Sequence, residues 1–225
     1  MKKVVIMHNR YGRNVVGGAE QVVARSVQSL KETFQSVTVL SSEPFHGLRS
    51  LGVHHDAEDP QHVLRLAAVN ICAFEHLGAL SRLGRFFWHM IDIANLHTMV
   101  AIGWWLAKEN PSKVITHNLM GLGLLTLLAI RWRTRAHWTH MLHDIQLLHP
   151  SGLLLWGHEW LRGYQGFSPR LYRCITRFLI GSPDEVVAPS RWLMHEHTQF
   201  GFFPTSKKIV ISPLRQLIAR GPLKQ

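Results

Sequence analysis

The 225 residues carry 25 Lys/Arg against 14 Asp/Glu, a net charge of +11, with 46% hydrophobic and 17% charged residues. Such a balance excludes a disordered or collagen-like chain, and the length suffices for one large domain or two small ones, with a sizeable core. Cys72 and Cys174 are too few for a disulfide framework, which makes a reducing cytoplasm the expected compartment.

The chain opens on a short apolar run, Val4 to Met7, that reads as a buried strand and is too short for a signal-peptide core. A polar loop, HNRYGRN, leads to Gly17-Gly18 and then to Ala19, Val22, Val23, Val27 and Leu30 at helical spacing. Strand, glycine-rich turn and helix start form an anion site in many α/β domains, because free N–H groups and the positive helix end point out of the turn. The plainer reading is that the glycines only punctuate the turn. The G-x-G-x-x-G fingerprint is absent, so this loop alone does not support a dinucleotide site.

Ser36 to Leu40 predicts a second strand, and residues 41–60 a loop with a short strand near Val53. From Gln61 to Glu109 the pattern predicts helix throughout, broken near Gly78 and Gly84. Its segment FFWHMIDIANLHTMVAIGWWLA is apolar on most sides, so it is buried or lies against lipid, while Asp92, Asn95 and His97 argue against its crossing a bilayer. Lys113 to His117 restarts the sheet and sets His117-Asn118 at a strand's carboxyl end, where such folds gather ligand contacts. Leu119 to Trp132 predicts a helix, and its apolar run falls short of the roughly 20 residues a membrane span needs.

Ala136 to Leu142 predicts a strand tipped by His143-Asp144, followed by a long apolar loop over 145–167 that reads as a lid or a surface for a greasy partner. Pro169 to Ile180 is a basic helix, Glu185 to Ala188 a strand, and Ser190 the cap of a helix running to about Phe200. Lys208 to Ile211 is a last strand. The alternation predicts an α/β fold, a Rossmann-like parallel sheet with helices on both faces. One domain is expected over 1–212, with 213–225 the start of a linker or a frayed tail.

The charge is uneven: residues 113–225 carry 14 Lys/Arg against 5 Asp/Glu, and residues 1–112 carry 11 against 9. An anionic partner is implied, and tryptophans beside arginines, as in RWRTRAHW, point to an anionic membrane surface. Packing residues are the plainer account of most tryptophans. No nucleic-acid module appears, so no nucleic-acid partner is expected. His137, His140 and His143 are three apart and alternate faces on a strand, so no metal site is expected from them.

Four stretches in order then resemble the N-terminal, acceptor-side domain of family-4-like glycosyltransferases, the two-domain GT-B enzymes. They are strand–GGAE–helix at Val4–Glu20, VITHN at 114–118, LHDIQLLHPSG at 142–152, and EVVAPSRWLMHEH with KKIVISP over 185–213. The resemblance implies retaining transfer of a sugar from a nucleotide-sugar donor to a glycan, lipid-linked or other acceptor, with no metal or other cofactor. It places Gly17 and Gly18 at the donor diphosphate, and His143 with Asp144 beside the reacting sugar. Arg10, Arg13, Glu20, His117, Asn118, Ser190 and Arg191 fall on the acceptor cleft, with Ser190 read mainly as a helix cap. His149 stands where many members have cysteine before the proline. The donor-gripping Glu-x(7)-Glu of the family's second domain has no counterpart, since no two glutamates lie eight apart.

The resemblance therefore implies a transferase inactive without a donor domain, supplied in cis or in trans, cytoplasmic or peripheral on the inner membrane face. A non-catalytic acceptor-binding or membrane-docking subunit of a split transferase is the alternative, and a plain phosphate-binding α/β domain the third reading.

Overall fold

The computed structural model describes residues 2–12, 17–150, 152 and 167–211. They group into two compact units, Met1–Trp138 and Thr139–Gln225, and the division falls inside one strand.

The first unit is a sheet of β1 (Lys3–Met7), β2 (Ser36–Ser42), β3 (His54–His55), β4 (Val63–Leu66) and β5 (Lys113–Thr116), in the order β3-β4-β2-β1-β5. All neighbours pair in parallel except the two-residue β3, which runs antiparallel to β4. β1 lies in the middle, and Val4, Val5, Ile6 and Met7 are all buried. A continuous apolar run is what a strand covered on both faces requires. Each such side chain contributes about 1.5–3 kcal/mol by leaving water.

Helix α1 (Gly18–Lys31) carries the chain from β1 to β2, burying Val23 and Val27. Helices α2 (Arg82–Ile93) and α3 (Leu96–Glu109) carry it back past β1 to β5. Parallel crossovers are right-handed, so reversing direction puts α1 on one face of the sheet and α2 and α3 on the other. Helix α4 (Thr126–Arg133) then packs on α3, where a Cβ on Gly103 would come within 3.3 Å of Ala129 Cβ and Arg133 Cγ. The second unit is the parallel set β6 (His137–Met141), β7 (Glu185–Ala188) and β8 (Lys207–Val210), joined by α5 (Phe167–Ile180) and α6 (Arg191–Thr198). Exposed Lys207 and Lys208 blunt the β8 edge against further pairing.

The expected parallel, Rossmann-like α/β class holds, but three local expectations do not. Val63–Leu66 is a strand paired with β2, not helix: all four residues are buried. The long helical stretch breaks at Ala94–Asn95, where Asn95 accepts the Thr98 N–H as an N-cap, and Gly84 lies inside α2. Residues 119–125 are turn and not the start of a helix, because Gly121 and Gly123 sit at φ +90° and +82°. Of the expected lid, 145–150 is a tight turn and nearly all the rest lies outside the described residues, as do Arg13 and the expected tail from 213. No helix of the described residues is long and apolar enough to cross a membrane.

Candidate active-site residues at the strand ends

In open parallel sheets the ligand crevice lies beyond the carboxyl ends of two adjacent strands whose connections leave in opposite directions. In the first unit those strands are β1 and β5. The chain leaves β1 toward β2, and it returns beside β5 on the far side, where His137 N–H donates to Ser112 O at 3.0 Å and Trp138 Nε1 to Thr116 Oγ1 at 2.9 Å.

Each of the two strands ends in the same dipeptide, His8-Asn9 after β1 and His117-Asn118 after β5. The two turns are sewn together. His117 N–H donates to Met7 O and Asn9 N–H to Asn118 O, both at 2.9 Å, and Ser42 Oγ at the end of β2 donates to Asn9 O at 2.5 Å. Asn118 Oδ1 accepts the Met120 N–H at 3.0 Å, which turns the chain away from β5. The His8 and His117 rings meet edge to face with centroids 5.7 Å apart, and both are buried. Burial lowers the pKa of His8, with the nearby Arg10 charge adding to the effect against a backbone hydrogen bond and Glu20. His8 is therefore a neutral imidazole at neutral pH.

The loop from β1 to α1 is held from below by Arg65 on β4. Its Nη2 donates to Tyr11 O at 2.9 Å, and its Nε to Asp56 Oδ2 at 2.6 Å, both side chains being buried. Burial alone would raise the Asp56 pKa, but the Arg65 hydrogen bond and the Asp59 and Glu58 N–H groups hold it down at about 2. Gly12, at φ +88°, lies where a Cβ would come within 3.3 Å of Arg65 Nη2. At the helix end of the loop, Gly17 is the N-cap of α1 and the Glu20 carboxylate folds back against it. A Cβ on Gly18 would meet nothing within 4 Å, so the backbone of the first helical residue stands open. The Arg10 guanidinium makes no hydrogen bond or ion pair among the described residues.

A second support sits under the turn after β5. Asp92 near the end of α2 is buried and accepts the Gly121 N–H at 2.9 Å, while its backbone oxygen accepts that of Leu124. Burial raises its pKa to about 7 against the Gly121 and Gly123 N–H groups that favour the carboxylate. Gly123 is obligatory here, since a Cβ would collide with Thr98 Oγ1 and Asn95 Cβ.

In the second unit, β6 ends at Met141, and His143 and Asp144 follow at the same kind of strand end. Asp144 Oδ1 accepts the Gln146 N–H at 2.7 Å, closing an Asx turn that fixes the approach to His143. Gly152, at φ +65°, lies against the other Asp144 oxygen. Helix α5 clamps the turn: Tyr172 Oη donates to Gln146 O and Thr176 Oγ1 to Leu147 O, each at 2.6 Å. His149 is held below its usual pKa by burial first and by the Arg173 charge second. Ser190 Oγ accepts the Leu193 N–H at 3.1 Å as the α6 cap, and Arg191 is exposed at the first helical position.

Beneath this turn His140 and His197 are buried among Phe202 and Phe203, with His197 5.8 and 6.0 Å from those rings and His140 6.2 Å from Phe203. His197 Nδ1 bonds to Leu193 O. Burial pushes His197 down to about 4, and burial with the neighbouring His197 and His143 pushes His140 down to about 3. They are packing imidazoles, neutral at neutral pH. Phe203 holds φ +57°, a conformation bulky residues avoid, and its ring is fully buried in this cluster.

Gly17, Gly18, Glu20, Arg10, His117 and Asn118 thus belong to the first unit, and His143, Asp144, Ser190 and Arg191 to the second. His8, Arg65 and Asp92 were not among the expected residues. His8 was readable as the first of two His-Asn pairs following apolar strands. Arg65 and Asp92 act across 54 and 29 residues of sequence and leave no local signal.

Comparison with known proteins supplies the rest. A protein from Klebsiella pneumoniae described as an uncharacterized 42.6 kDa protein in the cps region is 24% identical over 215 residues, covering 92% of this chain. The chain spans 54% of that relative's length. Among solved structures, sucrose-phosphate synthase from Thermosynechococcus elongatus superposes with a TM-score of 0.55 at 11% identity, over 94% of this chain and 48% of that one. UDP-N-acetylglucosamine 2-epimerase from Rickettsia bellii gives 0.53 at 12% identity, over 98% and 47%. At such identities these two share the fold. The model of the glycosyl transferase 4-like domain matches residues 17–213, so the chain belongs to the glycosyl transferase 4-like domain family.

Proposed function

We propose that this chain is the acceptor-side half of a glycosyltransferase that moves a sugar from a nucleotide-sugar donor to a glycan or lipid-linked acceptor with retention at the anomeric carbon. The observation that carries the reading is the family match over 17–213, which takes in both the Gly17-Gly18 turn and the His143-Asp144 turn. A leaving nucleotide diphosphate gathers negative charge, and pre-aimed N–H donors stabilise it in the transition state. The open N-terminus of α1 at Gly18 supplies such donors, with Arg10 and Arg13 available to phosphates on an acceptor. Glu20, folded over Gly17, gives way to the phosphate or pairs with an arginine when the ligand arrives. His143, on a turn fixed by Asp144 and α5, is the polar group that orients the reacting sugar. The residues need no cofactor for these roles, and no metal enters the scheme.

The test is sugar transfer by the chain joined to, or mixed with, a donor-binding domain, using labelled nucleotide sugars. His143→Ala is expected to lower turnover by about 100-fold or more while donor affinity changes by less than about threefold. Unchanged turnover removes His143 from the chemistry. Turnover only on mixing favours the split-subunit arrangement, and no transfer in either arrangement defeats the transferase reading.

A further inference from the structure

Helices α2 and α3 each bury one face and leave the other bare. At about 100° per residue, Leu83, Phe86, Phe87, Met90 and Ile91 fall within an arc of about 140° on α2, and all five are exposed. Trp88 and Asp92 occupy the opposite side and are buried. On α3 the pattern repeats: Leu96, Val100 and Trp104 follow one another every fourth residue and are 63–65% exposed, while Thr98, Ile102 and Leu106 are buried. Eight large apolar side chains on two consecutive helices far exceed the scattered exposure ordinary for a surface.

The exposed charges on these two helices have one sign. Arg82, exposed in the first turn of α2, lies about 40° from the edge of that arc, while exposed Arg85 lies on the Asp92 side of the helix, and Lys108 continues the α3 stripe with Nζ 5.8 Å from the Trp104 ring centre. The only carboxylates between 82 and 109 are withdrawn: Asp92 is buried, and Glu109 is paired with Lys3 at 2.9 Å. An aliphatic and aromatic face fringed by cations, with a tryptophan at its margin, is the chemistry of an amphipathic helix lying in the headgroup region of an anionic bilayer. Helices of 12 and 14 residues are too short to span one.

We infer that the outward face of α2 and α3 docks the first unit on an anionic lipid bilayer. The inference is independent of sugar transfer, since a chain with no chemistry at its strand ends would carry the same face. It also puts the membrane contact on the less charged half of the sequence.

The experiment is co-sedimentation of the full chain with vesicles of phosphatidylcholine alone or of equimolar phosphatidylglycerol and phosphatidylcholine. Binding to the anionic vesicles is expected to be about tenfold or more stronger, to weaken with added salt, and to fall at least about tenfold in the double variant Phe87→Glu/Trp104→Glu. Equal pelleting of wild type and variant, or of wild type with both vesicle types, overturns the inference. So does sedimentation velocity without lipid that shows a dimer which the same substitutions dissociate, because the face then meets a second copy. Should the charged variant unfold, quenching by brominated lipid decides with a milder change. Trp104→Phe is expected to abolish most of the quenched tryptophan emission, and unchanged quenching in that variant overturns the assignment.

Discussion

The two units hide different sets of ionisable groups. The first buries carboxylates, Asp56 against the Arg65 guanidinium and Asp92 against backbone N–H groups, beside the His8 and His117 imidazoles. The second buries imidazoles, His140 and His197 wedged among phenylalanines. A carboxylate kept charged inside needs dedicated donors, so the first unit spends side chains and glycines on holding its loops. A histidine goes inside by shedding its proton, so the second unit uses it as an aromatic spacer. The lesson is that the polar groups beneath the strand-end turns are supports, although they carry residue types usually associated with catalysis.

The contrast can be broken most forcefully at Arg65. Arg65→Ala strands Asp56 as a buried unpaired charge and frees Tyr11 O, so a loss of about 3–5 kcal/mol in denaturant unfolding is expected. A loss below about 1 kcal/mol would mean that water already compensates the pair.

The pH dependence should separate the units and is the next largest effect. His140 and His197 have folded pKa values near 3 and 4, below the ordinary 6.5. On acidification the unfolded second unit takes up protons first, so its stability is whole above pH 6.5 and drains away as the pH falls toward 4, by about 3 kcal/mol for each histidine. Asp92 has the reverse sign. Its folded pKa near 7 lies above the ordinary 3.8, so the first unit is favoured below 3.8 and loses that stability as the pH rises through 7. Hydrogen exchange followed in each unit between pH 4 and 6.5 is expected to show protection rising with pH in the second, whereas in the first the Asp92 contribution falls with pH against the rise that the lowered His8 pKa supplies. His197→Phe should make the second profile shallower and Asp92→Asn should make the first rise more steeply with pH, and profiles unchanged by these substitutions would refute the contrast.

Ser190→Ala is the smallest change. Removing a cap that accepts the Leu193 N–H costs about 1 kcal/mol, confined to α6 and its neighbours.

Those elements that answer to local rules were readable from the chain. β7 falls on the expected Glu185–Ala188, β1 starts one residue early, and the Ser190 cap is where its residue type and position put it. What escaped was set by distant partners. The run Val63–Leu66 is too short for periodicity to distinguish strand from helix, and only pairing with β2 decides it. The apolar stretch from Leu119 looks helical until Asp92, 29 positions before Gly121, claims the N–H groups that a helix would have used. Charge misled in a similar way. The second half of the sequence holds most of the excess cations, yet the broad apolar surface lies on α2 and α3, where two cationic side chains open one helix and a third closes the other. Of the six tryptophans described, Trp88 and Trp138 are buried, whereas Trp104, Trp132 and Trp192 are exposed, so composition alone could not say which would meet a partner.

The paired His-Asn turns have one more consequence. Asn118 O holds Asn9 N–H, and Asn9 O holds the Ser42 hydroxyl, so three neighbouring strand tips are linked in series like stitches along a hem. A molecule that pulls on any one tip shifts the other two, and the rim should tighten or slacken as a single piece.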